Sequence, residues 1–390
     1  MQDAGPGTYR LTEEQVLLRD TIRQLADERI APRAADIDRS GEFPEDIRQL
    51  LADHEVLALP FPANYGGVGA DLLTQCLAVE QIARVCVTSS LILTVQGLGS
   101  IPLLLGGSEE QKARLFPDLA SGKRLAAFAL TEPEAGSDAV AARTTAVRDG
   151  DDYVLNGTKR FITNGSVAEV ISVFAVTSSD GPRHQRLSCF AVEVPTDGFR
   201  VARLEHKLGI RGSPTAELTF DDVRVPVANR IGAEGDGWKL AMATFDRSRP
   251  AIAAQAVGIA QGALDVAVAY AKDRKQFGQR IGEFQMIQAM LADMDARTEA
   301  ARQLTYKACV EIEAGSPETA RWASLAKLVA GDAAMAVTTD AVQVLGGYGY
   351  TDDFPVERML RDAKITQLYE GTQQIQRLVI ARSLLGRSAG

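Results

Sequence analysis

The chain has 390 residues, 46% of them hydrophobic and 24% charged, with a formal net charge of −9. That length accommodates two or three domains, each with its own core, and the composition is that of an ordinary globular protein. The acidic balance excludes nucleic acid or an anionic membrane as partners held by bulk electrostatics, although a few local arginines and helix N-termini can still bind phosphate.

The opening Met1-Gln2-Asp3-Ala4-Gly5 lacks the basic-then-apolar pattern of a signal peptide. The first third then reads as helical. Thr12 with Gln15, and Ser108 with Gln111, have the spacing of capping boxes, and Val16, Leu17, Ile22 and Leu25 recur near helical spacing. Asn64-Tyr65-Gly66-Gly67-Val68-Gly69 reads as a loop, and the apolar residues 91–105 are expected to face the core. From about residue 125 to 238 the pattern becomes short β-rich runs: 170–176, 188–194 and 216–220. Asn156-Gly157 and Asn164-Gly165 are turn dipeptides of the kind that join neighbouring strands. Helical patterning returns in residues 251–271, 283–313, 318–344 and 373–385, broken at Gly315-Ser316-Pro317, with Ile375, Leu378, Val379 and Leu385 on one face of the last helix. No stretch is expected to stay apolar over the roughly 20 residues of a membrane span. Residues 251–271 come nearest, but Gln255, Gln261 and Asp265 suit a buried bundle helix better. Helix, then sheet, then helix, without βαβ alternation, argues against a Rossmann domain.

Four segments carry chemistry. In Phe128-Ala129-Leu130-Thr131-Glu132-Pro133-Glu134-Ala135-Gly136-Ser137-Asp138, Gly136 allows close backbone approach to a ligand, and Thr131 and Ser137 offer hydroxyls; taken alone, a strand ending in a turn explains it equally well. Lys159-Arg160-Phe161-Ile162-Thr163-Asn164-Gly165 sets an aromatic ring beside a hydroxyl, although a plain strand and turn accounts for it too. Phe245-Asp246-Arg247-Ser248-Arg249-Pro250 and Asp273-Arg274-Lys275-Gln276-Phe277-Gly278 flank the Ala-rich helix. Arginine's planar fork suits pyrophosphate, whereas exposed charge at helix ends is the ordinary explanation. Finally, Gln343-Val344-Leu345-Gly346-Gly347-Tyr348-Gly349-Tyr350 frees backbone amides for phosphate or adenine, and Tyr369-Glu370-Gly371-Thr372 places a carboxylate just before the last helix. Cys76, Cys86, Cys189 and Cys309 form no Cys-x-x-Cys pair and read as free thiols of a reducing compartment, so a cytoplasmic location is expected. His54, His184 and His206 share no ligand spacing, and no metal is expected.

In this order and spacing the four segments resemble the acyl-CoA dehydrogenase family over essentially the whole chain. The resemblance implies an α+β fold: an N-terminal helical domain (1–125), a middle antiparallel β-barrel or sheet (126–237) and a C-terminal four-helix bundle (238–390). It implies FAD, lined by Phe128, Leu130, Thr131, Gly136 and Ser137, and by Phe161, Ile162 and Thr163. Many family members have Trp where this chain has Phe161, so a ring contact is kept and an indole N–H is missing. Arg274, Gln276, Phe277, Phe284 and Gln285, then Gln343, Gly346 and Gly347, would reach FAD partly across a subunit interface, with Thr372 and Gln374 beside it. Ser137, Asp246, Arg249, Gly371 and Arg382 would contact the acyl-CoA. Glu370 would be the base that takes the α-proton while the β-hydrogen leaves as hydride to the flavin, the thioester oxygen being held by the Glu370 N–H and a ribityl hydroxyl. Some branched-chain members carry the catalytic Glu at the position of Ser248; here Ser248 stands there and Glu370 is kept. Asp246, two residues off and shorter, is the remaining carboxylate nearby. The resemblance further implies an electron-transferring flavoprotein as acceptor and a homotetramer, or at least a homodimer. An oxygen-using acyl-CoA oxidase, or a non-catalytic scaffold that keeps the fold, are the competing readings.

Overall fold

The structure, a computed structural model, describes residues 10–178 and 180–386; the expectation drawn from residues 1–5 lies outside them. Six helices come first: α1 (Glu13–Leu25), α2 (Ala34–Ser40), α3 (Glu45–Asp53), α4 (Leu72–Ala83), α5 (Val87–Gly106) and α6 (Glu109–Ala120). Both expected capping boxes form. The Thr12 and Ser108 hydroxyls accept from the backbone N–H of Gln15 and Gln111, whose side chains accept in return from the cap N–H groups.

The strands follow: β1 (Ala126–Ala129), β2 (Thr145–Asp149), β3 (Asp152–Thr163), β4 (Val170–Val176), β5 (Leu187–Glu193), β6 (Phe199–Leu204), β7 (Thr215–Pro226) and β8 (Arg230–Ile231). They form one sheet in the order β6-β7-β3-β2-β4-β5-β8, with β1 on β4. The antiparallel expectation needs correction, because β1 and β2 both pair with β4 in parallel. Asn156-Gly157 is no turn either. It lies inside β3 at a register shift against β7, where an irregular strand bends without ending.

The C-terminal part comprises α7 (Gly237–Asp273), a short hairpin of β9 (Lys275–Gln276) and β10 (Gln279–Arg280), then α8 (Gln285–Glu313), α9 (Thr319–Leu345), α10 (Val356–Ala363) and α11 (Gln373–Leu384). Sequence places the start of α7 after Pro250, yet the helix runs through it. An internal proline costs about 3 kcal/mol, but Leu240, Ala241, Thr244, Ser248 and Arg249 are buried upstream of it, and that burial holds the helix together across the break. The Asp246–Arg249 segment is therefore helical. On α11 the expected apolar face is not the buried one: Gln373 and Gln376 are buried, while Leu378 and Leu385 are exposed.

The helices on either side of the sheet in sequence share cores. Val87, Leu91 and Val95 of α5 pack with the alanine-rich faces of α7 and α9, and α4 packs with Tyr306, Cys309 and Ile312 of α8. Contrary to the sequence expectation, three helical stretches (Val87–Gly106, Gly237–Asp273 and Thr319–Tyr350) are long and apolar enough to cross a membrane by length and composition. Their best windows are 78%, 72% and 50% buried inside the protein, which is what a core helix apolar on every side requires.

The α4–α8 contact contains a buried carboxylate. Glu80 accepts from Arg302 Nε (3.0 Å) and from the Tyr306 hydroxyl (2.8 Å). Glu80→Ala strands both donors and is expected to lower unfolding free energy by about 3 kcal/mol or more. Glu299→Ala, at the exposed edge of the same cluster, is expected to cost less than about 1 kcal/mol. Urea denaturation of both variants checks the contrast.

Candidate active site

Glu370 sits in the turn between α10 and α11 at φ 51°, followed by Gly371 at φ 90°. Left-handed backbone is costly for a glutamate, so something must hold it. Four hydrogen bonds do. The Glu370 carbonyl accepts from Arg249 Nε (3.3 Å) and Gln376 Nε2 (3.1 Å). The Gly371 carbonyl accepts from Lys327 Nζ and Gln376 Nε2, each at 2.8 Å. A Cβ at Gly371 would meet Gln376 Nε2 at 2.9 Å, so the clamp and the positive φ both select glycine there. The Glu370 N–H, in the peptide just before these carbonyls, has no partner among the described residues.

The Glu370 side chain is partly buried and accepts from the Ser248 hydroxyl at 2.5 Å. Burial pushes its carboxyl up to about 7, against the opposing pull of the Ser248 hydrogen bond and of the Arg249 and Lys327 charges. Arg249 is buried. Its Nη1 lies 3.4 Å from Asp246 and 3.4 Å from Ser324 Oγ, and its guanidinium is 5.6 Å from the Phe245 ring centroid. Burial also raises the Asp246 carboxyl, but its neighbour is the guanidinium, so Asp246 serves as the counter-ion of Arg249. The structure thus gathers Glu370, Gly371, Asp246 and Arg249 in one place.

The segment after β1 is held in a similar way. Lys159, fully buried on β3, donates to the Leu130 carbonyl (3.0 Å) and to Glu132 Oε1 (2.7 Å). Glu132 also accepts from the N–H groups of Arg143 (2.6 Å) and Thr144 (3.0 Å). The Arg160 N–H takes the Thr131 carbonyl at 2.9 Å. The N–H groups of Leu130 and Thr131 are left without partners among the described residues. Phe128 links this strand to α7 through its ring, 4.9 Å from Phe174 and 5.6 Å from Phe245. Gly136 and Ser137 are exposed, with open space at Gly136. Phe161, at φ 59°, is 56% exposed, whereas the Ile162 side chain is buried in the sheet core; only the Ile162 backbone is available to a ligand.

The other predicted cofactor residues gather elsewhere. Arg274, Gln276, Gly346 and Gly347 line a recess of about 560 Å³ with Tyr270 and Tyr348. Gln343 is exposed one turn before the two glycines. Phe277 is 94% exposed, its ring 6.1 Å from that of Phe284, and the exposed Gln285 begins α8. Thr372 caps α11 by accepting from the Ile375 N–H, while Gln374 and Arg382 are exposed on that helix. No residue lining the recess belongs to the Glu370 turn or to the segment after β1. Bare amides, an exposed ring and an open glycine on one surface, and an arginine beside two glycines on another, suit the flat tricycle and the pyrophosphate of a flavin dinucleotide respectively.

Sequence reasoning missed Lys327 and the polar chain behind Glu370. A cavity of about 60 Å³ lies among α4, α5 and α7, lined in part by Leu93, Thr94, Leu98, Ser248 and Ala251. One turn beyond Thr94 on α5 and Ala251 on α7, the two helices are joined: Gln255 Nε2 donates to Ser90 Oγ at 2.7 Å, and Gln255 Oε1 accepts from the Tyr369 hydroxyl. Lys327 did leave a signal, since it occupies an inward position of an otherwise small and apolar helical stripe with Ala323, Ala330 and Ala334.

Three sequence models match the chain: the N-terminal domain of acyl-CoA dehydrogenases over residues 12–123, the middle domain over 127–223 and the C-terminal domain over 235–385. A probable acyl-CoA dehydrogenase fadE25 of Mycobacterium leprae is 52% identical over 377 residues, 97% of each chain. The cyclohexane-1-carbonyl-CoA dehydrogenase of Geobacter metallireducens is 50% identical over 382 residues, 98% of this chain and 100% of that one. The solved butyryl-CoA dehydrogenase of Megasphaera elsdenii superposes with a TM-score of 0.94 at 41% identity, covering 97% of this chain and 100% of that chain. The chain belongs to the acyl-CoA dehydrogenase family of oxidoreductases.

Proposed function

We propose that the protein removes two hydrogens across the α,β carbon pair of an acyl-CoA thioester to give the trans-2-enoyl-CoA, with Glu370 as the base. The observation that carries this reading is the turn at Glu370, which presents a bare N–H and a carboxyl of raised pKa from one residue. An α-proton beside a thioester is weakly acidic. A donor aimed at the carbonyl oxygen stabilises the negative charge that builds there as the proton departs, and a carboxylate of raised pKa is a stronger base than one in water. Ser248 orients the carboxylate through its hydroxyl, and Arg249 holds the backbone behind it.

The cofactor we assign is FAD, which when bound accepts the β-hydrogen as hydride, a task no protein side chain performs. Phe128, Leu130, Thr131, Gly136, Ser137, Phe161, Ile162 and Thr163, with Thr372 and Gln374, would hold its flavin end. The separate recess of Arg274, Gln276, Gly346 and Gly347, with Phe277, Phe284, Gln285 and Gln343 nearby, would serve the dinucleotide end. Two surfaces that share no lining residue within one chain fit a cofactor completed by a second subunit, in a homodimer or homotetramer; the exposed Phe277, Met286 and Tyr350 are apolar area suited to such an interface. Ser137, Asp246, Arg249, Gly371 and Arg382 would contact or frame the acyl-CoA. An electron-transferring flavoprotein would take the electrons onward, and the four buried, unpaired cysteines suit the reducing cytoplasm.

For the acyl group we infer a short or compact chain. The cavity between α5 and α7 is small, about 60 Å³, and is walled by Phe61, Leu93, Leu98, Leu104 and Phe116; a longer acyl chain would have to displace these close-packed side chains. The names of the relatives, with butyryl and cyclohexane-1-carbonyl groups, agree with a compact site.

Glu370→Gln is expected to retain FAD and to lose flavin bleaching by substrate by at least about 100-fold; bleaching at the normal rate would rule out Glu370 as the base. Across a panel of saturated acyl-CoAs, kcat/KM is expected to peak at short or compact acyl groups. A peak at long chains would contradict the inferred size of the cavity.

A further inference from the structure

Lys327 is an ionisable side chain that neither the acyl-CoA nor the flavin is asked to touch. It is fully buried in α9, a helix whose neighbouring inward positions are Ala323, Ala326, Ala330 and Ala334. Burying an ammonium in such a stripe costs several kcal/mol unless its donors are used. Nζ uses two: 2.8 Å to the Gly371 carbonyl and 3.2 Å to Gln373 Oε1. Both acceptors belong to the turn and first residue of the helix that carry Glu370. The alternative of a methionine or leucine would pack in the same stripe without that cost, so the ammonium is there for what it holds.

We propose that Lys327 is a positioning residue of the reaction: its charged Nζ fixes the Glu370–Gly371 turn so that the Glu370 N–H and carboxylate face the same thioester. This rests on reading Glu370 as the base. Lys327 and Gln376 together hold the Gly371 carbonyl, the second peptide of the turn, while Arg249 and Gln376 hold the first, so Lys327 is the one charged donor on the second peptide. Without it, the second peptide beside the costly left-handed φ of Glu370 is held by the neutral Gln376 amide alone. The cation also lies close enough to Glu370 for each charge to favour the other. The charged and polar groups facing Lys327 are Glu370 in the turn, Arg249 from α7, Gln373 and Gln376 from α11, and Asp332 on α9 itself, which accepts from Gln373 Nε2 at 2.9 Å.

The role sets a pH window. Burial, with the Arg249 charge adding to it and Glu370 opposing it, brings the Lys327 ammonium down to about 8. The base must be ionised, so bleaching rises as pH passes about 7. The ammonium must be charged, so bleaching falls as pH passes about 8. The profile of the FAD-loaded, full-length protein is therefore a narrow bell, with macroscopic limbs that belong to the Glu370–Lys327 pair.

The test measures the single-turnover rate of flavin bleaching by butyryl-CoA from pH 6 to pH 9.5, with flavin content and melting temperature recorded for each protein. The unmodified protein is expected to show both limbs, and a rate that stays flat from pH 7.5 to pH 9.5 overturns the proposal. Lys327→Arg keeps the charge at every pH used and is expected to remove the alkaline limb while retaining bleaching. Lys327→Met is expected to keep its flavin, bleach roughly 100-fold more slowly and shift the acid limb up by about one pH unit. A folded, flavin-loaded Lys327→Met with the normal rate and profile refutes the role. Should either variant fail to fold, the unmodified profile and the remaining variant decide. Glu370→Gln is run alongside: bleaching that persists in it defeats the reading of the base, whereas an inactive Glu370→Gln beside an unaltered Lys327→Met defeats this proposal alone.

Discussion

The site depends on where backbone carbonyls point. Buried donors hold backbone carbonyls at two places. Lys159 and the Arg160 N–H take the carbonyls of Leu130 and Thr131, and Arg249, Gln376 and Lys327 take those of Glu370 and Gly371. Next to the held carbonyls, the N–H groups of Leu130, Thr131 and Glu370 are without partners among the described residues. Three of the clamping groups are buried cations, each with polar partners on two sides. Their desolvation opposes stability, and what it secures is a fixed set of donors that need no rearrangement when negative charge appears.

The same cations limit how basic Glu370 becomes. Burial alone would drive its carboxyl well beyond the carboxylate range; the Ser248 hydroxyl, Arg249 and Lys327 bring it back to about 7. A carboxylate far above that value would be protonated at neutral pH and idle, and one far below it would be too weak a base. Asp246 is also raised by burial but lies against the Arg249 guanidinium, so the two carboxylates on this wall stand in different environments.

Much of this was legible in the chain. Thr12/Gln15 and Ser108/Gln111 announced two helix starts because capping is a local interaction of four residues. The Tyr369–Thr372 segment, read with the three other motifs, singled out the carboxylate that we propose as the base. What escaped depends on packing between distant segments. Pro250 reads as a helix stop, and only the burial on both of its sides keeps α7 continuous. Gln255 reads as a polar interruption of an Ala-rich helix, and its partners Ser90 and Tyr369 are more than a hundred residues away on either side. Leu378 and Leu385 promise an apolar face for α11, but the turn it carries needs amides beneath it, and Gln373 and Gln376 took the inward positions.

The most direct measurement of the central claim is the infrared stretch of a ¹³C-labelled thioester carbonyl bound to the FAD-loaded protein. If the Glu370 N–H is the donor that this turn holds ready, the band moves to lower frequency than that of the free acyl-CoA in water. A bound carbonyl that absorbs at or above the free frequency would show that no such donor meets it, and the arrangement described for Glu370 would be wrong.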